Sequence, residues 1–397
     1  MYNNHMLGQL HITLGDLRSV FGFKARRQIR ELYLFLLLFS FASSLITIFE
    51  PIFFYSQGFK LWLIAIYYLT HYVVYVVALP WGAKLAARFG YERSLAVSTP
   101  ILVVYFLILS GVTEFWQLFW LGPFVLAAHK IFFWPAYHAT FAAYSNSDNR
   151  GTEQSWQRII VYGVGIIGPL LGGFIVVWFG FAALFIVAAV TLVLAGLPLL
   201  TTKENQQRRE MSYSAGWQVI RQRANRRMVL AASAGWMENL VYMVFWPIYM
   251  FIILRSAELL GLVVSLSVAV MVLWGFFVGE LADRKTPRVV LRWAAPFIAA
   301  SYILRILSHS VAMILPADIL ARVSDTSMEV PTMSRLYAKA RRVGSLRYML
   351  AFEISLACGK VVMAAALAAV FFFLPMQTAF VVTFALAGVM ALFYRAL

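Results

Sequence analysis

Ala83-Lys84-Leu85-Ala86-Ala87-Arg88 returns, 196 residues further on, as Gly279-Glu280-Leu281-Ala282-Asp283-Arg284. Three more landmarks share that ungapped spacing: Pro51 with Pro247, Pro135 with Pro331, and Gly163 with Gly359. The offset is about half of the 397-residue chain, so the sequence reads as two copies of one structural unit. In a hydrophobic chain, a two-fold repeat marks a transporter whose site lies between the repeats.

The composition supplies the hydrophobic half of that argument. Apolar residues make up 62% of the chain and charged residues 13%, against about half and a quarter in soluble domains. The apolar residues come in long runs: Leu32 to Phe49, Leu95 to Val112 and Phe181 to Leu200 contain no charged side chain. Each run is close to the ~20 residues a helix needs to cross a bilayer, and barrel strands would be half as long and alternating. The expected fold is an all-α integral membrane protein. Its spans fall near 32–55, 60–80, 94–112, 117–143, 154–178, 181–200, 228–254, 259–278, 289–308, 311–337, 347–373 and 377–395. They group into two pseudo-symmetric six-helix bundles, 32–200 and 228–397, around a central cavity. A basic N-terminal segment, 1–31, precedes them, and a basic connector, 201–227, joins them. The connector's Trp217/Val219/Ile220 patch is expected to rest on the membrane surface. The first apolar run is a full span without a small-residue cleavage site, so no cleavable signal peptide is expected.

The net charge of +16 is a matter of topology rather than of nucleic acid. With twelve spans, Lys84, Arg88, Arg93, the 201–227 connector, Arg284, Lys285, Arg288, Lys339, Arg341 and Arg342 all fall on one side. The opposite loops hold little beyond Lys60 and Arg255. By the positive-inside rule both termini are cytoplasmic, in a multi-pass inner-membrane protein. The single cysteine, Cys358, excludes an intrachain disulfide, and no metal-ligand spacing or phosphate-binding glycine loop occurs. No cofactor, no metal and no enzymatic activity are expected.

Six plus six helices, a basic central loop and a repeated Gly-x-Leu-Ala-Asp-Arg between the second and third helix of each half resemble the major facilitator superfamily over essentially the whole chain. The second copy, Gly279 to Arg288 with Asp283, Arg284 and Arg288, is the stronger match, although Thr286 stands where a glycine is usual. In the first copy Ala83 and Ala87 stand where glycine and aspartate are expected, while Arg88 and Gly90 remain. An aspartate at the end of one bundle can face a helix N-terminus of the other, where the dipole favours an anion. Cytoplasmic closure is therefore expected to rest mainly on Asp283, set against the fifth helix around Thr152 to Ser155. The fifth span also carries Gly168-Pro169-Leu170-Leu171-Gly172-Gly173, which resembles the family's Gly-Pro-x-x-Gly-Gly motif of proton-driven exporters. Read from the residues alone, the same pattern is a close helix crossing.

Ionisable groups inside spans cost about 2.5–3.5 kcal/mol on insertion scales, so each requires a reason. Most fall in the first, fourth, seventh and tenth spans: Glu50; His129, Lys130 and His138; Glu238 beside Asn239; Asp318, Arg322, Asp325 and Glu329. The resemblance implies that these four helices line the cavity and that the third, sixth, ninth and twelfth face lipid. Asp325 follows His129 by the same 196 residues, which places the two at matching depth. A carboxylate near an imidazole or ammonium, in a site alternately wet and dry, is suited to exchange a proton. The order of candidates is Asp325, then Glu238 and Glu329, with Lys130 or Arg322 as the competing cation. Glu353 and Lys360 of the eleventh span share one face and either line the cavity or pair with the tenth. The function expected is secondary active transport of a small organic solute, in a monomer embedded in lipid, by proton-coupled efflux. The alternatives are proton symport of a polar metabolite, or a non-transporting receptor or assembly factor on the same scaffold.

Overall fold

The structure is a computed structural model that describes residues 27–144, 150–199, 211–284 and 287–396. Among these residues all regular structure is helical. α1 (Arg27–Ile46) and α2 (Phe49–Ser56) form the first crossing, followed by α3 (Leu61–Phe89), α4 (Tyr91–Gly111) and α5 (Leu118–Tyr144). α6 (Arg150–Leu199) is one continuous run of 50 residues except at Gly180, whose φ of 80° lies in the left-handed region. Straight, a run of that length would extend ~75 Å, more than twice the ~30 Å of hydrocarbon. Gly180, which carries no Cβ, breaks the run where the chain has to turn back.

A short helix, α7 (Ala215–Arg221), leads into a crossing built from α8 (Arg226–Leu230), α9 (Met237–Leu240) and α10 (Trp246–Leu254). Two π-helical segments, Ala231–Gly235 and Val241–Phe245, separate those three. α11 (Ala257–Arg284), α12 (Pro287–Leu307), α13 (Val311–Val343), α14 (Ser345–Phe373) and α15 (Met376–Ala391) complete the chain, with a 3-10 turn, Leu392–Ala396, at its end. Nine helices among the described residues are long and apolar enough to cross a membrane. One of the nine, Gly163–Leu197, contains the Gly180 break. α12 and α13 stand outside the nine, although at 21 and 33 residues they are as long as others within it. The charge along α13, with Asp318, Arg322, Asp325 and Glu329, lowers its hydropathy.

Every pair of landmarks at the 196-residue spacing falls on helices in corresponding order: α2 and α10, α3 and α11, α5 and α13, α6 and α14. The halves meet along two long seams, α3 against α14 and α6 against α11. Small residues make the second seam close. A Cβ at Gly172 would stand 2.6 Å from the Phe49 ring and 2.7 Å from Leu45 O. One at Gly173 would stand 2.5 Å from Ala257 O, and one at Gly261 would meet Pro169 O. The Gly-Pro-x-x-Gly-Gly segment is thus wedged between α1–α2 on one face and the start of α11 on the other, and close backbone approach is what its glycines provide.

Part of the Trp217/Val219/Ile220 patch is turned to protein: Val219 is buried and Gly216 packs on Leu350 and Ile354 of α14, while Trp217 and Ile220 are half-buried. The bundle offers α7 an apolar groove with fixed partners, and Asn225 locks the helix end by donating to Val219 O at 2.9 Å.

Candidate functional site

A cavity of about 540 Å³ lies between the two halves. Its polar lining includes Glu50 on α2, His129, Lys130 and His138 on α5, Asn239 on α9, and Asp325 and Glu329 on α13. Glu353 and Lys360 of α14 line it as well, as do Tyr68, Tyr72 and Tyr75 of α3. The cavity is therefore built from more than the four crossings that carry most of the charge in sequence: α3 and α14 join them, and Leu102, Tyr105 and Phe106 bring in α4, the third span, which was expected to face lipid. Phe39, Phe133, Trp134 and Trp236 supply apolar wall.

Toward the end that carries the α3–α4 and α13–α14 turns, polar contacts join the halves beneath the cavity. His138 Nε2–H donates to Glu353 Oε1 at 2.9 Å, and Tyr75 O–H donates to Glu353 Oε2 at 2.9 Å. His138 Nδ1 lies 2.9 Å from the Tyr337 hydroxyl of α13. Glu353 thus pairs with α5 and α3 rather than with the acids and cations of α13. Below it Ala87, Ala139 and Leu346 are buried together. Ala87 therefore does reach the start of α14, by an apolar contact in place of a charged one. At the opposite end α2 packs on α10, and Trp62 meets Phe372 edge-on at 5.6 Å.

The other named residues take distinct places. Glu50 accepts a hydrogen bond from Tyr68 at 2.8 Å. His129 donates from Nδ1 to Ser98 O at 2.9 Å, and its ring packs beside the stacked pair Phe39 and Phe133, so its bonded edge is turned to α4. Asp325 lines the cavity and accepts no hydrogen bond among the described residues. Glu329 is exposed to the cavity. Glu238 and Asn239 are neighbours in sequence that face opposite ways. Glu238 is 3% exposed and is not among the lining residues; it accepts hydrogen bonds from Tyr302 and Tyr394. Asn239 points into the cavity and accepts from Lys360 Nζ at 2.8 Å. The two π segments flanking α9 set this local register, and such bulges are frequent at functional sites.

Arg322 does not reach the cavity. It donates to Asp318 at 2.7 Å, four residues earlier on α13, and Trp246 Nε1–H holds the other oxygen of that carboxylate at 2.9 Å. Arg305 is placed where its sequence position did not suggest. It is 1% exposed, with its guanidinium 4.0 Å from the Tyr302 ring centroid and 5.1 Å from that of Trp246. Rings on α10 and α12 supply the face that takes its charge, and no pattern in the sequence announces them. His71 packs on Pro123 O, as a buried structural residue would. Arg88 is exposed with its guanidinium over Phe89, and Gly90 turns the chain between α3 and α4 with φ 110°. The side chains of Asp283, Arg284 and Arg288 and those of residues 152–155, on which the expected cytoplasmic closure falls, lie outside what is described, as does the packing of Gly279. Among the described residues no group of His, Cys, Asp and Glu is arranged to hold a metal ion.

Two helical halves with an ionisable cavity between them agree with the family comparison. The sequence model of the Major Facilitator Superfamily matches residues 32–324. The chain belongs to that superfamily. Within it, the chain is 27% identical over 133 residues to "Sugar efflux transporter A" of Dickeya chrysanthemi, 32% of this chain and 34% of the relative. That match spans about a third of the relative's length. Two solved structures of POT family transporters superpose with TM-scores of 0.73 and 0.72 at 14% identity. Each covers 94% of this chain and 96% of its own. One is described as in complex with 5-aminolevulinic acid and the other with a thioalcohol conjugated peptide. At that identity the likeness establishes the superfamily fold. The chain is accordingly a multi-pass membrane protein of a transporter family, and no catalytic family is indicated.

Proposed function

We propose that this superfamily member exports a small organic solute by alternating access, in exchange for protons bound at Asp325. The observation that carries the reading is the cavity itself: both halves line it, and Asp325 presents to it a carboxylate that no described residue holds in place. A carboxylate already committed to a partner would serve structure. One without a partner is available to a proton on one side of the membrane and to a cationic group of the solute on the other. Competition for one site is by linkage reciprocal, so loading the solute releases the proton. Glu238, held by two tyrosines, supports Asp325 from behind the cavity wall. Export is supported by the Gly-Pro-x-x-Gly-Gly segment at the α6–α11 seam and by the partial match to a sugar efflux transporter. In this reading the chain has twelve spans, the Gly180 break giving two and α12 and α13 giving two more. Residues 32–200 and 228–397 are its moving halves, and both termini face the cytoplasm in the inner membrane of a monomer.

The test uses everted membrane vesicles with an acid interior and a pH-sensitive dye. A panel of cationic, anionic and neutral compounds is added in turn. The expected result is proton release from the interior on addition of one compound class and not in vesicles lacking the protein. Silence toward the whole panel, with the protein inserted and folded, contradicts the proposal.

A further inference from the structure

Lys130 and Lys360 come from opposite halves of the molecule and converge on one ring. The Lys130 ammonium lies 5.6 Å from the centroid of Tyr72, and that of Lys360 lies 5.3 Å from the same centroid. The sum of those distances bounds the separation of the two like charges at about 11 Å. Lys130 has neither a hydrogen-bond acceptor nor a carboxylate within 4.0 Å among the described residues, and Lys360 has only the neutral amide of Asn239. Lys360 is 6% exposed, so it is an ammonium taken out of water without a counter-charge in contact. An arrangement of this kind is costly unless something else supplies the charge.

The nearby carboxylates make no contact with either lysine: Glu353 is engaged by His138 and Tyr75, Glu50 by Tyr68, and Asp325, in the same cavity, forms no ion pair within 4.0 Å among the described residues. Tyr72 offers its ring face, which stabilises a cation only modestly and cannot neutralise two. What the two lysines lack is an anion in contact with their donors, and the space in front of them is the cavity.

We infer that Lys130, Lys360 and Tyr72 form an anion subsite that holds the carboxylate of the transported solute across the two halves. The inference rests on the reading of the cavity as the solute site and narrows its substrate class to amphoteric compounds, which carry a carboxylate for the lysines and a cationic group for Asp325. Each ammonium has three donors to share with a carboxylate, and the resulting charge-assisted hydrogen bonds are the stronger kind. The body of the solute lies against the aromatic wall of Phe39, Phe133 and Trp134. Bridging also supplies a reason for the halves to close on a loaded site, since an anion between the ammonium groups removes the repulsion that an empty one leaves.

The experiment measures binding of 3-phenylpropionate and of its neutral analogue 3-phenylpropanol to the purified full-length protein by titration calorimetry. Intact protein, Lys130→Gln, Lys360→Gln and Arg347→Gln are compared, each checked for an unchanged unfolding midpoint without ligand. The expected result is that the carboxylate binds intact protein at least about tenfold more tightly than the alcohol. Lys130→Gln and Lys360→Gln each lose that advantage, and Arg347→Gln, an exposed charge outside the cavity, keeps it. No binding of the carboxylate, or equal binding by the intact protein and both lysine variants, overturns the subsite. If the lysine variants bind as the intact protein does while Asp325→Asn still abolishes proton release in vesicles, the subsite fails and proton coupling stands. Lysine-dependent binding with proton release untouched by Asp325→Asn means that the subsite stands and coupling at Asp325 fails. Should a lysine variant fail to fold, Lys130→Arg replaces it, with carboxylate binding expected to persist because the charge is kept.

Discussion

Asp325→Asn abolishes compound-triggered proton release, down to the level of vesicles without the protein, while the variant accumulates in the membrane as the intact chain does. The amide has the size of the carboxylate but neither takes up nor releases a proton near neutral pH. It also breaks no hydrogen bond, because none to Asp325 exists among the described residues. A loss of activity is therefore a loss of chemistry and not of packing. Glu238 makes the contrast: its carboxylate accepts from Tyr302 and Tyr394, so a change there disturbs the wall as well as the charge. The dye signal reads the first property, and size-exclusion chromatography of solubilised membranes reads the second. Undiminished proton release by Asp325→Asn assigns the coupling to another group.

Asp318→Ala destabilises the protein by about 3–5 kcal/mol, the usual cost of leaving one buried charge without its partner. Asp318 is fully buried and takes both Arg322 Nε–H at 2.7 Å and Trp246 Nε1–H at 2.9 Å. Removing it strands a guanidinium and an indole donor together. Removing both charges is a different matter, since apolar groups of similar size often replace a buried pair at little cost. Asp318→Leu combined with Arg322→Met is expected to recover most of the stability that Asp318→Ala loses. Unfolding midpoints in detergent separate the two outcomes, and equal loss in single and double variants shows that the stranded guanidinium is not the source of the cost.

Charged residues inside spans are legible in the sequence because apolar runs make each one conspicuous. Glu50, Lys130, Asp325 and Glu329 all reach the cavity. What a one-dimensional pattern does not carry is which way a side chain turns when the helix is irregular. Glu238 and Asn239 are adjacent, and two π segments send one to the wall and the other into the space. Nor does it carry partners that arrive from distant helices. His138 finds Glu353 215 residues away, and Tyr394 reaches Glu238 from the last turn of the chain. Tyr72 and Tyr75 are hidden for another reason: aromatic residues crowd membrane helices whether they face lipid, a neighbour or a cavity. Arg322 reads as a resident cation because its spacing fits the helix face of Asp325, but the same residue lies four after Asp318, and the closer pairing wins. The fold is more legible than the site because a span needs only length and hydrophobicity, both additive along the chain, whereas a site needs relative placement.

Alternating access is the central claim, and the contact between the halves at Trp62 and Phe372 tests it most directly. In a Cys358→Ser background, Trp62→Cys and Phe372→Cys are introduced together and joined by a short bis-methanethiosulfonate linker. The rings now meet at 5.6 Å from opposite halves, so the linker ties the halves where they must part. The account predicts that linked vesicles lose compound-triggered proton release and regain it when a reducing agent cleaves the linker. Full release with the linker in place would contradict it, because solute and proton would then be crossing without any opening of that end.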